Sequence, residues 1–118
     1  SKYTKDNLAD NIKEYSNGES AFKYFTEKIK ENSLYLLDEP ENSLSPKMQK
    51  ELAKFIIDSQ KYFNCQFIIS THSVFLLAIE NSKIYNLDKN PVKVDKWTKL
   101  DNVLEYYEFF KNNKDKFI

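Results

Sequence analysis

Hydrophobic and polar positions along the chain alternate in blocks of two lengths. Leu34-Tyr35-Leu36-Leu37 and Gln66-Phe67-Ile68-Ile69-Ser70 are short apolar runs of strand length, each leading into a polar cluster. Between them Met48, Leu52, Phe55, Ile56, Ser59 and Phe63 fall on one face of a helix predicted over roughly 46–62, with Pro46 in its first turn and Asn64-Cys65 breaking it. Upstream, Ala21, Phe22, Phe25 and Ile29 mark a helical face running to about Lys30, and Leu8, Ile12 and Tyr15 mark a short helical lead-in. Downstream, a short apolar helix is expected from Val74 to about Ile79. A strand at 83–87 and an edge-like strand at 92–97 are expected to form a hairpin across Asp88-Lys89-Asn90-Pro91, with a last helix near 101–113. Buried strands alternating with amphipathic helices predict an α/β fold, a mostly parallel sheet with flanking helices, in a single domain over residues 1–118.

Composition narrows the chemistry. The chain has 118 residues, 41% hydrophobic and 31% charged, enough for a core under a polar surface. Its formal net charge is zero and every basic residue is lysine. Such a balance gives little support to nucleic-acid binding by this portion, and no arginine finger can come from it. One cysteine, Cys65, rules out an intrachain disulfide. No apolar run approaches the length of a membrane span and the N-terminus lacks a signal-peptide pattern, so the expected location is cytoplasmic. Gly18 is the single glycine. A Walker A loop or a G-x-G-x-x-G turn needs at least two, so neither can be built from this chain.

Asp38 and Glu39 stand where the first apolar run ends, and the chain turns at once through Pro40. In open α/β sheets ligands sit beyond the carboxyl ends of the strands. There Asp38 could hold Mg²⁺ while Glu39 positions or deprotonates a water, the two needs of phosphoryl transfer. A solvated acidic pair is an equal reading of these two residues alone. His72, the only histidine, follows the second apolar run between Thr71 and Ser73. It could donate to a phosphate oxygen, or simply end a strand, and Ser73 reads equally as a helix N-cap. Ser16-Asn17-Gly18-Glu19 has the form of a capping box and also of an anion site at a helix N-terminus.

Taken in order, these stretches resemble the C-terminal half of an ATP-binding-cassette type ATPase. Ser16-Asn17-Gly18-Glu19-Ser20 looks like the signature motif, Leu34 through Glu39 like Walker B with its glutamate, Asn42-Ser43-Leu44-Ser45 like the D-loop, and Ser70-Thr71-His72-Ser73 like the switch-histidine loop. The resemblance covers roughly residues 14–87 and is closer to soluble AAA-type ATPases related to the RecF, SMC and OLD proteins than to transporter cassettes. It implies a P-loop NTPase-like partial domain that binds and hydrolyses ATP with Mg²⁺. Implied roles are Asp38 for the metal, Glu39 and His72 for catalysis, and Ser16, Gly18, Glu19 and Ser45 for nucleotide contacts. Asn17, Glu19 and Ser45 depart from the family's usual glycine, glutamine and aspartate. The family's Walker A and Q-loop precede the signature, and neither is here. Family members pair head to tail, so the resemblance implies a homodimer of the full-length protein. Its composite sites would each need a Walker A portion that this chain does not contain. DNA maintenance or phage defence is the implied setting. The alternatives are an energising subunit of a transporter and a non-catalytic, degenerate cassette that acts as a binding module.

Overall fold

The computed structural model of the chain describes residue 23 and residues 26–118. The expected lead-in helix at 5–15 and most of the helix from Ala21 lie outside the described residues; Lys23 and residues 26–28 are helical. The chain divides into two compact units, one reaching to Ile79 and the other spanning Glu80–Ile118.

In the first unit the order is β1 (Leu34–Asp38), α1 (Pro46–Tyr62), β2 (Gln66–Ser70) and α2 (Val74–Leu77). β1 and β2 pair in parallel, with Leu34 opposite Gln66 and Asp38 opposite Ser70. Parallel neighbours need a crossover, and α1 supplies it. Ser45 caps this helix, its Oγ accepting from the Met48 amide at 3.2 Å, and Pro46 occupies the first turn, where a missing N–H costs nothing. Leu52, Ala53, Ile56 and Ser59 form its buried stripe. Phe63, placed on that stripe by periodicity, is instead the exposed C-cap residue. Asn64 takes positive φ there (53°), and so does Asn32 ahead of β1 (55°). The Asn64 side chain donates to Asn32 Oδ1 at 2.9 Å, joining the two strand entries. Asparagine tolerates this left-handed backbone better than most residues.

The core gathers Tyr35, Leu37, Leu52, Ala53, Ile56, Cys65 and Leu76, with Ile29, Phe55, Phe67, Ile69 and Ile79 against it. Tyr35 stacks on Phe67 with ring centroids 5.7 Å apart, and its hydroxyl accepts from the Lys30 amide at 2.6 Å. The expectation that β1 is buried throughout needs correcting. Tyr35 and Leu37 are 6% and 3% exposed, but Leu34 and Leu36 are 47% and 43% exposed, and Ile68 on β2 is open too. Strand side chains alternate between faces, and among the described residues the core of α1 and α2 covers only one face of this two-stranded sheet.

In the second unit β3 (Ile84–Asn86) and β4 (Lys93–Asp95) pair antiparallel as a separate two-stranded sheet, the expected hairpin in shorter form. Asn86 is buried with both ends of its side chain bonded: its Nδ2 donates to Asp95 Oδ2 at 3.0 Å while its Oδ1 accepts from the Asp88 amide at 3.0 Å. A 3₁₀ turn, Trp97–Lys99, leads into α3 (Asp101–Asn112); Leu100, just before the helix, and Val103 within it are buried. The described architecture is α/β, with one parallel pair and one antiparallel pair of strands.

Candidate functional site

The paired carboxyl ends of β1 and β2 bring three of the sequence-predicted site residues together. Asp38 and Ser70 are register partners on the last rung of the ladder, and Ser70 Oγ donates to Asp38 Oδ1 at 2.5 Å. The ladder continues one step further, because the Glu39 amide donates to the Ser70 carbonyl at 2.7 Å. The backbone then breaks sharply. Glu39 has φ 48° and Ser43 φ 70°, both in the left-handed region where a side chain with Cβ is strained. Pro40 is buried, and the Asn42 and Leu44 amides donate back to the carbonyls of Glu39 and Glu41 at 3.2 and 2.9 Å. Residues 39–44 are thus two tight turns fastened to the end of β1.

Glu39 is held from two sides. Its Oε1 lies 3.4 Å from His72 Nδ1, and its Oε2 accepts from Asn42 Nδ2 at 3.4 Å. The two side chains are 44% and 79% exposed, so the pair faces solvent where a ligand could reach it. Such an exposed contact adds little to stability. It sets direction, pointing a carboxylate and an imidazole at one region beyond the strand ends.

Glu41 reaches from the same turn across to the loop after β2. One carboxylate oxygen accepts from Thr71 Oγ1 at 2.5 Å and the other from the His72 amide at 2.9 Å. Thr71 Oγ1 in turn accepts from the Ser73 amide at 3.0 Å. Ser73 is buried and caps α2, accepting from the Leu76 amide at 3.4 Å while donating to Gln49 Oε1 at 2.7 Å. Gln49 completes the circuit by donating to the Leu44 carbonyl at 3.0 Å. The turn after β1 and the loop after β2 are therefore cross-linked at two places.

Over the segment holding this site, the sequence model of the AAA ATPase domain matches residues 12–77, more than half of the chain. The chain belongs to the AAA ATPase domain family. That family is one of ATP-binding ATPases, and the matched span takes in every motif stretch noted above from Ser16 to Ser73. No curated protein matches the chain.

For an AAA ATPase domain the oxygen-rich end of the sheet suits Mg²⁺. Among the described residues no group of three His, Cys, Asp or Glu side chains could enclose a metal. Mg²⁺ in nucleotide sites needs no such cage: it takes one or two carboxylates, with substrate phosphates and waters as its remaining ligands. Asp38 is exposed and offers a hard oxygen beside the Ser70 hydroxyl, so these residues fit that ion. Ser45, expected to contact nucleotide, has its hydroxyl engaged as the cap of α1. Ser16, Gly18 and Glu19 lie outside the described residues. Sequence reading assigns no role to Glu41 or Gln49, although Glu41 stands in the same motif as Asp38 and Glu39. The signal was present only as an acidic side chain on one turn and two hydroxyl residues around His72, thirty positions away. Among the described residues no helix is long and apolar enough to cross a membrane.

Proposed function

We propose that residues 1–118 are the C-terminal part of one ATPase domain of cassette type, supplying the Walker B, D-loop and switch-histidine side of an ATP-hydrolysing site. One observation carries the reading. The adjacent Asp38 and Glu39 meet His72, distant in sequence, at the carboxyl ends of two adjacent parallel strands, with Glu39 Oε1 3.4 Å from His72 Nδ1. Ligands of open α/β sheets bind at such an edge.

In this reading Asp38 would hold Mg²⁺, and the ion would supply neutralisation of phosphate charge. Glu39 accepts a proton from a water whose oxygen attacks the γ-phosphorus. The bond to the β–γ bridging oxygen breaks, and ADP and phosphate leave. His72 donates a hydrogen bond to a γ-phosphate oxygen and keeps Glu39 aligned. Ser16, Gly18 and Glu19, resembling the signature motif, serve the nucleotide held by a second subunit, with Ser45 near the subunit contact. The open apolar face of Leu34, Leu36 and Ile68 supports the need for further structure around the sheet. The phosphate cradle comes from a Walker A-bearing segment, since one glycine cannot build it.

Turnover of Mg-ATP by the ATPase assembled from this chain and a Walker A-bearing segment tests the reading. Glu39→Gln keeps the shape and removes the base. The expected result is a loss of about 100-fold or more in kcat with ATP binding retained, in the range of general-base removal. Unchanged turnover in that variant contradicts the role.

A further inference from the structure

We infer that Glu41 is a positioning residue, setting the alignment of His72 with Glu39 by gripping the backbone of the switch loop. The inference rests on the ATPase reading above and adds to it a device for holding the two groups in register. His72 has little packing to fix it: its side chain is exposed, and Glu39, the partner it faces, is itself half-exposed. Its backbone is where the structure fastens it most firmly. The Glu41 carboxylate accepts from the His72 amide at 2.9 Å and from Thr71 Oγ1 at 2.5 Å, one oxygen to each. Thr71 is oriented for this, because its hydroxyl accepts from the Ser73 amide and so directs its proton to Glu41. Hydrogen bonds to an ionised acceptor are among the stronger ones in proteins, and a two-point grip fixes direction as well as distance.

Glu41 is also tied to Glu39. They share the turn closed by the Asn42 amide on the Glu39 carbonyl, and the next turn, closed by the Leu44 amide, starts at the Glu41 carbonyl. Glu39 is held in strained left-handed backbone, a state that persists only where surroundings over-determine it. The carboxylate that grips His72 and the carboxylate that faces it therefore stand on one hydrogen-bonded turn. The second cross-link, Ser73 to Gln49 to Leu44, anchors the base of the loop but touches neither Glu39 nor His72. The Glu41 contact, by contrast, acts on the His72 backbone itself. A misplacement of about 1 Å in a reacting constellation costs on the order of 100-fold in rate, so the grip has kinetic weight.

Two measurements test this. The first uses the chain itself: amide hydrogen exchange in Glu41→Ala. His72 is expected to exchange at least about tenfold faster while the β1–β2 ladder keeps its protection, since only the local bond is lost. Unchanged exchange at His72 overturns the inference. The second uses the ATPase assembled with a Walker A-bearing segment. Glu41→Ala is expected to lower kcat roughly 30- to 100-fold at an unchanged KM for ATP. Glu41→Gln is expected to recover most of that loss, because its oxygen can accept from the His72 amide and its nitrogen can donate to Thr71 Oγ1. Thr71→Val should cost little more once Glu41 is alanine, as coupled residues do in a double-mutant cycle. If Glu39→Gln silences turnover while Glu41→Ala leaves kcat within about threefold, this inference fails and the ATPase reading stands. If Glu39→Gln leaves turnover intact, both fall together.

Discussion

Ser59 on α1 is completely buried, and its hydroxyl finds no partner among the described residues. Its carbonyl, by contrast, accepts from the amides of Phe63 and Cys65 and closes the helix end. A buried hydroxyl without a partner carries an uncompensated desolvation cost. Ser59→Ala is therefore expected to raise stability by about 1 kcal/mol, read as a higher urea midpoint at unchanged slope. Loss of stability in that variant would mean the hydroxyl has a partner. Ser43, at φ 70°, gives a second residue-scale test. Ser43→Gly removes the Cβ penalty of left-handed backbone, about 1–2 kcal/mol, against a glycine entropy cost of about 0.5–1 kcal/mol. A gain of roughly 0.5 kcal/mol is expected, and a loss would place Ser43 in a side-chain contact that outweighs the strain. Neither site was legible in the sequence. Periodicity places Ser59 on the buried face without revealing an unmatched hydroxyl. Backbone strain at Ser43 and Glu39 depends on how the turn fastens to a strand that only the fold brings alongside.

Helix α1 and the strands either side of it were legible for a physical reason. Their apolar spacing repeats at a helical or a strand period over the whole element, and Ser45-Pro46 punctuates the start. Pro46–Tyr62 and Gln66–Ser70 match the expected bounds. β1 was placed correctly and its burial misjudged, because an unbroken apolar run reads the same whether one face or both are covered. Phe63 was misplaced because periodicity continues through a residue after hydrogen bonding has ended the helix. Two changes probe the element. Leu52 is almost fully buried between α1 and the sheet, and Leu52→Ala is expected to cost about 2–5 kcal/mol, the usual range for a core cavity. Ser45→Ala removes the cap bond to Met48 and is expected to cost about 1 kcal/mol. A Ser45→Ala variant as stable as the parent would show that Pro46 and the Gln49 contacts suffice to start the helix.

At the scale of the whole molecule, the motifs that resemble Walker B, the D-loop and the switch loop were visible as sequence, and their meeting point was an expectation from sheet topology. The bonds among them were not visible. Glu41 and Thr71 are separated by thirty positions, and a carboxylate three residues past Asp38 carries no mark of its target. The described α/β core ends its two parallel strands on an acidic, oxygen-rich edge, in a chain of the AAA ATPase domain family. With one glycine it cannot build a phosphate loop, and the proposal is that it forms one side of a composite site. Calorimetric titration with Mg-ATP, of the chain alone and then with a Walker A-bearing segment added, tests that most directly. No binding is expected by the chain alone, and binding with turnover once the segment is present. Tight binding by the chain alone, or none with the segment folded and associated, would contradict it.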